Sequence, residues 1–426
     1  MSGVPGGLSS SNAPSFRLVQ THFLVGILGF LVFSFLLVLK ADSLQGHFFQ
    51  PVLLGLTHTC VLLWFLPIAQ GALLQLVPVL FQVRIRSEGT AWIALAFLFL
   101  GASGMAGHLW IYETHWGLPF SAALLALGLL LYVLNLLATL SRATSLDLTG
   151  VHVIAALFHL LLAAGLGLAL AWNLWNPFLL GDHLEVLKAH AHLAGLGFFG
   201  LLVMGMVYRM LEMFLLAYKV RPTFGWVSFL AANLGLCVLL VDFLFGRAPF
   251  LTAIGASCLV VAILAFTAQV VFLLRARFRR NLEAAWWHSL ASVFWLLVAA
   301  AEGAALFLPG LDRAAHDRLA LAYAVAAFLG FVGSIIVGQL YKIVPFLVWL
   351  ERFSPYLGLK EIPAAGDLLP RDLSEWQWVA MQTALLQFTL ALLLGLPWLL
   401  SMAAVFFAVS ALAFAAAVGR VYLCRP

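Results

Sequence analysis

Twelve histidines stand in a chain of 426 residues of which only 9% are charged, and they are the side chains best suited to chemistry. His47, His115, His183 and His316 fall in expected loops. The other eight lie within or at the ends of long apolar runs, where an ionisable group is costly and marks function by default. A neutral imidazole there is an axial haem ligand, a copper ligand or a proton carrier. His58 precedes Gly71 by thirteen residues and His192 precedes Gly205 by the same number. Counted from the starts of their runs, both imidazoles lie about 10 to 12 Å along a helix. His108, near the end of the third run, is at a comparable level. His190 is two residues from His192, about 200° around a helix, so the two cannot face one cavity. For any single histidine, a hydrogen bond to a neighbouring helix is the ordinary explanation; the matched pair is what points to ligation. A second set, His22, His152 and His288, opens the first, fifth and ninth runs, with His159 seven residues beyond His152 on the same face. With Glu302, inside the ninth run, these form a candidate proton path.

The elements that must position these groups are membrane spans. Apolar residues make up 64% of the chain, and the mean hydropathy is +1.07. A soluble domain has about 25% charged residues, and no water-soluble core could hide this much apolar surface. About twelve spans are expected, at 17–40, 51–82, 90–112, 118–140, 148–172, 184–218, 223–245, 249–274, 284–308, 318–350, 376–398 and 400–423. The last seam, at Pro397 and Ser401, is weakly marked and leaves eleven open. If the N-terminus is cytoplasmic, fifteen basic residues fall on the inner side and five in the outer loops, with Arg209 and Lys342 inside long runs. That bias predicts both termini in the cytoplasm. The basic cluster at 275–280 is then a loop facing anionic lipid rather than a nucleic-acid site. Residues 1–15 read as a short disordered tail, and 16–426 as a single transmembrane domain. The segment 351–375 is too short for a further domain. Cys60, Cys237, Cys258 and Cys424 are far apart and suggest neither a disulfide framework nor a CxxC metal site.

The runs repeat. Gly197, Phe198, Gly200, Gly205 and Tyr208 match Gly330, Phe331, Gly333, Gly338 and Tyr341, and Arg209 matches Lys342. Gly71 to Pro78 aligns with Gly338 to Pro345, and both stretches end in Val-Pro. Spans two, six and ten therefore read as copies of one helix, and the chain as three four-helix pseudo-repeats, 16–145, 146–280 and 281–426. At the position of His58 and His192 the third copy has Val325; His108 has Asp242 as its counterpart. Arg209 and Lys342 read as snorkelling residues, Pro78 and Pro345 as kinks or helix ends.

This all-α integral membrane pattern resembles subunit I of the haem–copper oxidases, a superfamily that includes the nitric-oxide reductases. The stretch around His58, and 190–205 (HAHLAGLGFFGLLVMG), also resemble the NnrS-type haem and copper membrane proteins. The resemblance implies a haem, b-type first, held by His58 and His192 with His108 or His190 as partners. It also implies copper, with His58, His192 and His190 as the metal-ligand candidates. A cytochrome or quinol electron donor, respiratory partner subunits and the cell inner membrane follow from the same likeness. The departures are specific. The tenth span lacks the two histidines that the oxidases place there, and the seventh lacks a histidine pair. The expected role is thus redox or nitric-oxide-related, without the usual oxygen-reducing binuclear centre. A secondary transporter and a haem- or copper-handling accessory protein are the rivals.

Overall fold

A computed structural model describes residues 12–179, 181–215, 217, 221–246, 248–278 and 283–426. Residues 1–11 of the expected tail, Lys219, Arg247 and the Arg279–Arg280 end of the basic cluster lie outside the described residues. Among the described residues, twelve helices are long and apolar enough to cross a membrane: α1 (Phe16–Leu39), α2 (Pro51–Leu80), α3 (Glu88–Ile111), α4 (Gly117–Leu140), α5 (Leu148–Trp175), α6 (His183–Glu212), α7 (Pro222–Gly246), α8 (Pro249–Arg275), α9 (Ala284–Ala305), α10 (Arg313–Arg352), α11 (Arg371–Leu394) and α12 (Pro397–Leu423). The chain is a multi-pass membrane protein.

Local chemistry sets the helix ends. Asp147, Asp182 and Asp312 cap α5, α6 and α10, accepting from the backbone N–H of Gly150, Leu184 and Ala315. Each satisfies one of the donors that a helix start leaves orphaned. Proline opens α2, α7, α8 and α12, where its missing N–H costs nothing. The weakly marked seam is a true break: Gly395 adopts a left-handed conformation (φ +65°) and Pro397 starts a new helix, so the last apolar run is two helices and not one. Helix α10 runs for 40 residues, about 60 Å, twice the thickness of a hydrocarbon core. His183 and His316 sit in the first turns of α6 and α10 rather than in loops. Pro78 and Pro345 lie inside α2 and α10.

The chain divides into two compact units: Met1–Leu18, Leu73–His108 and Tyr112–Arg280 form one; Val19–Ala72, Leu109–Ile111 and Asn281–Pro426 form the other. The boundaries do not coincide with the three expected copies, because α1 and most of α2 go with α9–α12. In that second unit Phe30 stacks on Trp64 at 3.8 Å, with Phe407 and Phe414 edge-on or tilted against Phe30. In the first, Tyr208 packs at 5.7 Å from both His152 and Phe266. Large apolar side chains such as Leu28, Phe35, Phe158 and Leu264 remain exposed along the helices, as lipid contact requires.

Candidate functional site

Three histidines of the inner set are seated on the three matched glycines. A Cβ on Gly71 would lie 2.8 Å from His22 Cβ, and one on Gly338 would lie 2.7 Å from His288 Cβ. A Cβ on Gly205 would collide with His152 Cβ more closely still. All three histidines are fully buried. Seven residues along the first helix and eight back along the second, the contacts recur. His159 faces Gly197 (2.8 Å), Trp295 faces Gly330 (2.6 Å), and in the pair α1–α2 the sizes are exchanged, with Gly29 against the Leu63 carbonyl. Each seat trades one side chain for close helix approach, the usual reason for glycine in membrane helices.

Beyond the seats, α2, α6 and α10 all widen from α to π geometry, over Thr59–Phe65, Leu193–Gly200 and Val325–Gly333. Such wide turns are rare and are frequent at functional sites. His58 and His192 are the residues immediately before the first two. In both, Nδ1 donates to the carbonyl four residues back, Leu54 at 2.7 Å and Lys188 at 2.8 Å. A carbonyl can only accept, so Nδ1 carries the proton and the lone pair is on Nε2. That is the tautomer an axial ligand needs, with its orientation fixed by the second nitrogen. His58 belongs to one compact unit and His192 to the other.

The remaining candidates point elsewhere. His190 Nδ1 donates to the Ala163 carbonyl at 2.9 Å, and its ring lies over Gly167 of α5. His192 lies instead 5.3 Å from the Phe243 ring of α7. The two thus face different helices, as their spacing predicts. His108 packs its ring against Gly117 and stands 3.7 Å from Glu113, within its own helical hairpin. His159 Nδ1 donates to Ala155, and His152 Nδ1 to Leu148. Buried Asp242 is spent on structure: its carboxylate accepts from Ala248 N–H and from Thr252.

Sequence reasoning missed a buried polar cluster. Gln377 of α11 accepts from His288 Nε2 at 2.8 Å and from Tyr341 at 3.1 Å, and donates to Ser410 at 2.9 Å. Further along the same helices Trp295 Nε1 donates to Gln382 at 2.8 Å. The available signal was the glutamines, Gln377 and Gln382 among them, inside a largely apolar run. Lys342, whose side chain is 14% exposed, pairs with Glu283. Arg209, half exposed, stands 3.6 Å from Glu212.

Among the described residues, no three His, Cys, Asp or Glu side chains converge in a way that could hold a metal ion. The copper expectation therefore finds no matching ligand set there. A haem asks less, one or two imidazoles with fixed tautomers, and His58 and His192 each meet that requirement singly. No known family model matches the chain, and no curated protein is significantly similar to it.

Proposed function

We propose that this chain is a haem-binding membrane protein of haem–copper-oxidase-like architecture, built from three four-helix pseudo-repeats, with both termini in the cytoplasm. On this reading it serves a redox or nitric-oxide-related role in an inner membrane and lacks the usual oxygen-reducing binuclear centre. The observation that carries the reading is the equivalence of His58 and His192. They occupy matched positions before two π-turns, with the same Nδ1–H anchor to the backbone and the same Nε2 lone pair. The recurring histidine-on-glycine seats support the threefold repetition. A bound haem would supply one-electron chemistry or, with an open axial position, binding of a diatomic gas. The protein's own residues would fix the ligating nitrogen by holding Nδ1–H on the backbone.

Optical spectroscopy tests the reading. Protein expressed with ample haem and purified in detergent is expected to show a Soret band, with α and β bands on reduction by dithionite. Conversion to the pyridine haemochrome identifies the haem type. A further shift on adding nitric oxide reports an open axial position. No haem band at any stage contradicts the proposal and leaves a secondary transporter as the better reading.

A further inference from the structure

The far end of α9 carries a carboxyl that nothing in the haem reading uses. Glu302 is 7% exposed, and both of its oxygens are buried without a hydrogen-bond partner. It continues a buried face of α9 that runs through His288, Ser292, Trp295 and Ala299. The two bonds His288–Gln377 and Trp295–Gln382 climb α9 and α11 together, so these helices run in the same direction. Seven residues beyond Trp295 is Glu302, and seven beyond Gln382 is Thr389, which places the two at one level. Thr389 Oγ1 is likewise buried with no partner, whereas Gln387, two residues away, lies about 200° around α11 and faces another side. The neighbouring residue Gly303 faces the ring of Tyr323, early in α10.

Several unsatisfied polar atoms at one level of a membrane helix group are expensive, because hydrocarbon offers them no water. The lower rungs show the contrast, since Gln377 spends its carbonyl and its amide on four neighbours. The charged and titratable groups on the elements packed against α9 are few near Glu302. They are Arg313, His316, Asp317, Arg318 and Tyr323 at the start of α10; those of α11, namely Arg371, Asp372 and Glu375, lie at its opposite end. Arg318 lies against Gly395, and no ion pair joins it to Glu302. Among the described residues, no cation is thus in place to compensate a carboxylate at this site.

We infer that Glu302 is the proton-accepting group of a small polar site formed with Thr389. Its carboxylate takes a proton from hydronium and leaves water behind. Water held at the same level satisfies Thr389. The inference does not rest on the haem reading and stands or falls separately from it.

The test is pH-difference infrared spectroscopy of the full chain in lipid nanodiscs. Wild type is expected to show the carbonyl band of a protonated carboxylic acid that disappears as pH rises. The band is expected to be lost in Glu302→Gln and retained in Glu283→Gln. In wild type, dicyclohexylcarbodiimide, which reacts with protonated carboxyls in apolar surroundings, is expected to label Glu302, less as pH rises, with no protection by sodium ions. A spectrum lacking any titrating band assignable to Glu302 overturns the inference. Sodium protection at fixed pH overturns it in favour of a cation site.

Discussion

The second and third expected copies, 146–280 and 281–426, place the same three side chains in the same way and then wire them differently. In each, a buried histidine sits on a glycine of the following even-numbered helix, with a tyrosine three residues past that glycine: His152, Gly205, Tyr208 and His288, Gly338, Tyr341. In the second copy the parts stay separate. His152 Nδ1 is spent on its own helix and its Nε2 has no partner, while Tyr208 pairs with Ser228 at 2.7 Å. In the third, Gln377 gathers His288, Tyr341 and Ser410 into one network. The histidine before the π-turn follows the opposite pattern, present as His192 in the second copy and replaced by Val325 in the third. Helix packing and polar chemistry are therefore separable here: glycine seats fix the backbone, and the side chains above them can diverge.

The largest expected effect separates the two wirings. Gln377→Leu strands three buried polar groups and is expected to cost about 3 kcal/mol or more, at about 1–3 for each unsatisfied group. Ser228→Ala strands only the Tyr208 hydroxyl and should cost about 1 kcal/mol. Thermal midpoints in one detergent compare them, and equal losses would break the contrast. Next come the seats. Gly205→Ala and Gly338→Ala overpack a histidine Cβ and are each expected to cost about 1–3 kcal/mol. Gly165→Ala, where an added Cβ meets nothing within 4 Å, should change stability by less than about 0.5 kcal/mol. If Gly205→Ala is as silent as Gly165→Ala, the seats are not tight. The smallest effect concerns the matched cations. Lys342→Met removes the buried partner of an ion pair with the more exposed Glu283 and is expected to lower the midpoint detectably. Arg209→Met removes an exposed pair worth at most about 1 kcal/mol, and high salt should abolish its effect.

The spans were legible because about 20 apolar residues in a row have few other fates. The division between α11 and α12 was harder, since its signal is one left-handed glycine and one proline within a continuous apolar run. The matched glycines and the inner histidines were both visible in the sequence, but not that each histidine sits on its glycine. That pairing depends on how two helices cross. The exchange of Gly29 for a large residue and of Leu63 for glycine is invisible to position-by-position matching, because the glycine that allows the close approach moves to the other helix. The π-turns could not be foreseen, as no residue type specifies a widened turn. Gln377 and Gln382 were readable in principle, since an amide in an apolar helix needs a partner. Which partner it takes is set by register.

The account turns on His58 and His192 as equivalent ligands, and three variants test that directly: His58→Val, His192→Val and His108→Val, each measured by reduced-minus-oxidised absorption against wild type. The replacement at 58 or 192 copies what position 325 already carries, so folding should be preserved. The account predicts that the haem bands are lost or shifted in the first two variants and unchanged in the third. Bands that survive both replacements intact, or that vanish only with His108, would contradict it.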